Sequence, residues 1–139
     1  MTADEHVNND LTKAADTLVA DFALIDFVRY VSEQIASVCG VPAVGIWLAD
    51  EDSLFQYVAA STELPGLVDL FKIQALEGPS FDCFHSGEPI ISFALSEGLA
   101  PWPEFAPKAI AAGFSSVHAF PMRLRERVIG SVSILDTTI

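Results

Sequence analysis

Cys83 and His85 stand two residues apart, in a stretch punctuated by Gly78, Pro79, Gly87 and Pro89. A thiol beside an imidazole suits two chemistries, redox sensing and metal binding. Zinc takes three or four protein ligands, so a third would have to come from His118 or an acid. A reactive thiol needs a lowered pKa and exposure, and the neighbouring Asp82 and Glu88 would raise the pKa instead. Free cysteine more often packs as a small apolar side chain. The other cysteine, Cys39, precedes Gly40 at the end of a periodic apolar stretch and reads as core. No metal centre and no catalytic residue is expected.

His118 sits in the alternating run Ser115-Ser116-Val117-His118-Ala119-Phe120. Period two places it on one face with Ser116, Phe120 and Met122. It reads either as a buried histidine donating to a backbone carbonyl or as a polar anchor on a pocket floor. Aromatic residues concentrate nearby: Phe81, Phe84, Phe93, Phe105, Phe114 and Phe120, joined by Trp102. They form either a second core beneath a long loop or the wall of an apolar pocket with His118 and Tyr57 as polar contacts. The residues expected to line such a pocket are Trp47, Tyr57, Phe81, Cys83, Phe84, Trp102, Phe105, His118 and Phe120. Arg123, Arg125 and Arg127 crowd a hairpin turn, where solvation is the default and Glu126 weakens an anion site.

These residues need elements to hold them. The seam Leu11, Ala15, Leu18, Phe22 and a second seam Leu24, Val28, Val31, Ile35, Val38 predict two helices, or one bent helix, over 9–39, after a disordered tail at 1–8. Asp21 could cap the second helix and Gly40 suits its end. Residues 43–61 predict an antiparallel hairpin around Asp50, Glu51 and Asp52, with both faces of the first strand apolar. A short helix is expected within 65–75, then a loop of little regular structure from Gly78 to Pro89. Ile90 to Phe93 reads as an edge strand, Pro103 to Gly113 as a helix, and 116–135 as a second hairpin. Hairpins with segregated helices mean α+β with an antiparallel sheet.

The 139 residues are 51% hydrophobic, which suits one folded domain and excludes disorder. Seven basic against 19 acidic residues give a net charge of −12, so nucleic acid and anionic membrane are poor partners. The start MTADEHVNND lacks the basic-then-apolar pattern of a secretory signal, and no apolar stretch is long enough to span a bilayer. A cytoplasmic location is expected.

A set of ordered short motifs carries a resemblance. They are Glu77-Gly78-Pro79, Asp82-Cys83, Ser86-Gly87-Glu88-Pro89, Trp102-Pro103, Phe105-Ala106-Pro107, Ala111-Ala112-Gly113-Phe114, Ser116-Val117-His118-Ala119, Pro121-Met122-Arg123-Leu124-Arg125 and Val128-Ile129-Gly130. In this order the chain resembles the GAF domains of actinobacterial GAF–ANTAR regulators. The looser Asp21-Phe22 and Gly45-Ile46-Trp47-Leu48 fit the same pattern, so the likeness covers nearly everything after residue 10. It implies a PAS-related α+β fold with an antiparallel sheet of about six strands and helices on both faces. It also implies a non-catalytic sensory domain over 9–139 within a transcription antitermination regulator. A small-molecule effector would sit between sheet and covering loops.

Two departures stand out. Relatives often read Glu-Gly-Pro-Cys, and here Ser80 follows Pro79. The closing helix and the RNA-binding ANTAR module are expected outside this chain, whose own charge argues against RNA binding. Two rival functions remain, a purely structural dimerisation module and a thiol-dependent enzyme like the free methionine sulfoxide reductases, which carry GAF domains. The latter needs an attacking and usually a resolving cysteine. A homodimer is expected through the narrow seam Leu11, Ala15, Leu18, Phe22.

Overall fold

The computed structural model describes residues 3–50 and 54–138, without the side chains of 3–10, 13–20 and 65. One helix, α1 (Ala3–Cys39), covers the span where two helices or one bent helix were expected. It runs unbroken through Asp21, so no cap forms there, and residues 3–8 are helical rather than a tail. Gly40, at φ 65°, turns the chain out of the helix, and the Val41 N–H closes the end on the Ala36 carbonyl at 3.1 Å.

Five strands follow as β1 (Ala43–Ala49), β2 (Phe55–Ala60), β3 (Ile90–Ala94), β4 (Ser116–Leu124) and β5 (Arg127–Asp136). The sheet order is β2-β1-β5-β4-β3 and every pairing is antiparallel. Five strands stand where about six were expected. The turn of the first hairpin falls at 51–53, outside the described residues; Asp50 closes its base by accepting the Leu54 N–H at 2.8 Å. Between β2 and β3 lie α2 (Pro65–Ile73) and α3 (Pro79–Ser86); α4 (Phe105–Ala111) precedes β4.

The sheet divides the interior into two cores because alternate strand residues point to opposite faces. Val44, Ile46, Val132 and Ile134 meet Ile25, Val28, Val31 and Ile35 of α1. Leu24 and Val38, expected in that seam, are exposed. Ala43, Trp47, Phe55, Val117 and Leu135 face the other way, against Phe71, Trp102 and Phe105. Strand β1 is therefore buried on both sides, as its two apolar faces require.

Candidate ligand site

The expected loop from Gly78 to Pro89 is mostly the helix α3, and its punctuation supplies the helix ends. Pro79 is its first helical residue, where a missing N–H costs nothing, and Gly87 closes it in the left-handed conformation. Gly78, at φ 141°, takes a backbone that side chains rarely adopt, and a Cβ there would lie 3.0 Å from Gln74 Cγ. Pro79, Ser80 and Cys83 form the buried side of α3, against β4 and β5.

Long-range contacts hold this cover in place. The Glu77 carboxylate accepts the N–H groups of Glu104 at 2.7 Å and Phe105 at 2.9 Å, capping α4 from 27 residues away. Asp82 accepts the Trp102 indole N–H at 2.8 Å. Arg123 donates to the Gly87 carbonyl at 2.7 Å, a cation at the C-terminal end of α3. One of the three clustered arginines thus has a structural partner. Trp47 is fully buried, with its indole N–H donating to the Phe71 carbonyl at 3.1 Å.

Of the nine residues expected to share a site, Trp47, Tyr57, Phe81, Phe84, Trp102 and Phe105 do meet on the α2–α4 face. Cys83, fully buried on α3, faces the same side of the sheet. His118 and Phe120 do not. They pair across the sheet with Ile134 and Val132, whose side chains face α1, so the sheet separates them from Trp102. His118, Ser116, Phe120 and Met122 share a face as expected, but it is the other face. There His118 Nδ1 accepts the Ser92 N–H at 3.0 Å. Ser92, at φ 50°, sits where the pairing of β3 slips between Ile90 and Phe93, and the imidazole serves the donor that the slip leaves.

The aromatics pack on one another. Tyr57 stacks on Phe71 with centroids 5.8 Å apart, Phe84 on Phe55 at 4.6 Å, and Trp102 packs against Phe93 at 5.0 Å. The Tyr57 hydroxyl donates to Glu63 at 3.2 Å; burial first, and the Glu63 charge second, hold its pKa above the usual range. Two open clefts lie elsewhere. One of about 410 Å³ runs between α1 and the β1–β2 hairpin and shares only Tyr57 with the expected set. The other, about 290 Å³, lies between α2 and α4.

Polar atoms that the sequence did not single out lie beneath α3. Gln74 is fully buried, its Oε1 accepts the Ser80 N–H at 3.4 Å, and its Nε2 has no partner among the described residues. The hydroxyls of Ser80 and Ser133 are likewise buried and unpartnered. Ser131, two residues from Ser133 on the same face of β5, donates to the Ser80 carbonyl at 3.0 Å. The available signal was Ser131 and Ser133 in an otherwise apolar strand, and Gln74 close behind Leu67, Leu70 and Phe71 in the segment expected to be helical.

The two thiols lie in different settings. Burial pushes Cys83 up to about 11, against a smaller lowering by Arg123; the carboxylates expected to raise it are not the cause. Cys39 is exposed on α1, which packs on the opposite face of the sheet. Among the described residues no cluster of metal-ligating side chains occurs, and no helix is long and apolar enough to cross a membrane.

No protein-family model matches the chain, and no curated protein sequence matches it significantly. Solved structures do. The GAF domain region of a membrane protein from Geobacter sulfurreducens superposes with a TM-score of 0.59 at 16% identity, over 92% of this chain and 82% of that one. Staphylococcus aureus NreA, mutated in its nitrate-binding site, gives 0.60 at 15% identity, over 80% and 84%. A type II free methionine-R-sulfoxide reductase from Thermoplasma acidophilum gives 0.57 at 15% identity, over 83% and 78%. These similarities, with an antiparallel five-stranded sheet between α1 and the α2–α4 layer, establish that the chain has a GAF-like fold.

Proposed function

We propose that this chain is a non-catalytic regulatory domain that takes a small ligand on the α2–α4 face of its sheet. The observation that carries this reading is the buried polar set of Gln74, Ser80 and Ser133, whose free atoms have no partner among the described residues. A buried donor without a partner costs about 1–3 kcal/mol, so a fold carrying three invites a guest that satisfies them. The aromatic packing on that face favours a guest of only a few atoms. In the finer reading the domain belongs to an antitermination regulator of the GAF–ANTAR kind, cytoplasmic, with RNA contacted by another module. The motif order supports this, as does the −12 charge, which gives this chain little attraction for phosphate.

A structural dimerisation module is the second reading, favoured by the mutual packing of the aromatics and by the exposed Leu11 and Phe22 on α1. Native mass spectrometry of freshly purified protein separates the two. A retained small molecule supports the ligand-responsive domain; a ligand-free dimer supports the structural module. The reductase reading loses support from the buried, protonated Cys83 and the distant Cys39. Turnover of free methionine sulfoxide with dithiothreitol, abolished by Cys83→Ser, would overturn the non-catalytic reading.

A further inference from the structure

We infer that the buried polar set under α3 is a subsite for a small monovalent oxyanion of the nitrate or formate class. The inference rests on the ligand-responsive reading above and names its ligand class.

The donor inventory sets the class. Gln74 has spent its carbonyl on the Ser80 N–H, which leaves both hydrogens of Nε2 free. Ser80 and Ser133 each add a hydroxyl without a partner among the described residues. Unused capacity is therefore rich in donors, and the complementary guest is rich in acceptors. The sheet beneath carries small side chains at this point. Ser133 pairs with Gly45 on one side and Ala119 on the other, a row of small side chains across the three central strands. The Trp47 and Phe71 rings close over Gly45, where a Cβ would meet them at 2.8 and 2.9 Å, and give the row an apolar wall.

Electrostatics set the charge. Ser80 lies in the first turn of α3, whose N-terminal end carries positive partial charge. Among the described residues no lysine or arginine is hydrogen-bonded to the set. Arg123, which acts on the Cys83 side of α3, is committed to the Gly87 carbonyl at the far end of the helix. Neutral donors and one helix end suit a single negative charge and leave a dianion uncompensated.

Isothermal titration with sodium nitrate and sodium formate, against sodium chloride and sodium sulfate at matched ionic strength, tests this. Wild-type protein should bind nitrate or formate saturably and sulfate not at all. Gln74→Met keeps the length of the side chain and removes its donors; it should weaken binding by about tenfold or more. Ser133→Ala should weaken it in the same direction, and stands in if Gln74→Met fails to fold by circular dichroism. The inference is overturned by no oxyanion binding, by binding unchanged in the folded variants, or by a crystal structure grown in nitrate that shows only an ordered water between Gln74 and Ser133. A larger organic molecule retained in native mass spectrometry, with no oxyanion binding, would sink the oxyanion subsite and leave the regulatory reading standing.

Discussion

Cys83 shows how burial decides what a reactive side chain can do. Its pKa of about 11 against an ordinary 9.0 keeps the thiol protonated at neutral pH. Ellman's reagent should therefore modify the exposed Cys39 quickly, and Cys83 only on unfolding. A fast second thiol in the folded protein would contradict the buried placement. The sign of the pH effect follows from the raised value. The folded state holds the proton more tightly, so this group's contribution is present below about pH 9 and is lost as pH rises through about 11. Wild type should lose more stability than Cys83→Ala over that alkaline range in urea unfolding. Glu77 shows the opposite use of a polar residue, half-buried and with two partners. Glu77→Ala removes the acceptor of two N–H groups at the start of α4 and should cost about 1 kcal/mol, while Glu77→Gln retains most of it. Equal stability of all three proteins would show that the cap contributes nothing.

At the scale of elements, α3 is the part whose position matters and the part least visible in the sequence. Asp82 ties it to Trp102, and Arg123 ties its end to β4. Asp82→Ala strands the indole N–H of Trp102, which is 3% exposed, and should destabilise by about 1–3 kcal/mol. Arg123→Met should cost less, about 0.3–1 kcal/mol, and its effect should shrink with added salt. Urea unfolding at two salt concentrations reads both, and a salt-independent Arg123 effect would count against the helix-end role. Eight residues give too few turns for apolar periodicity to show, so Gly78, Pro79 and Gly87 looked like loop punctuation when they were a start and a stop. The strands were easier, because Val44, Ile46 and Leu48 alternate with Gly45 and Trp47 over enough positions to reveal the period. That period says which residues share a face and not which face it is. His118 and Phe120 were thus grouped correctly with each other and placed on the wrong side of the sheet. Gln74 escaped notice for a related reason: its burial depends on α3 folding across it, a contact between segments that no local pattern encodes.

At the scale of the molecule, α1 is out of proportion to the sheet it covers. Its 37 residues span roughly 55 Å, while the seven residues of β1 span roughly 23 Å. Among the described residues, those that seat it on the sheet run from Ile25 to Ala36. Most helical stability in proteins comes from packing an amphipathic face, so the length before Ile25 needs a surface to pack on. Leu11 and Phe22 lie eleven positions apart, about three turns, and so point the same way; they are 64% and 59% exposed. The intervening members of that seam, Ala15 and Leu18, have side chains outside the described residues. A second copy is the economical cover, because a two-fold contact lets one stripe meet itself. We therefore expect a homodimer through the first half of α1. The double variant Leu11→Glu, Phe22→Glu should sediment as a monomer with an unchanged β-sheet signature by circular dichroism, since neither residue belongs to either core. A wild-type protein that already sediments as a monomer at high concentration would end the proposal, as would a double variant that remains dimeric, because the contact must then lie on another surface.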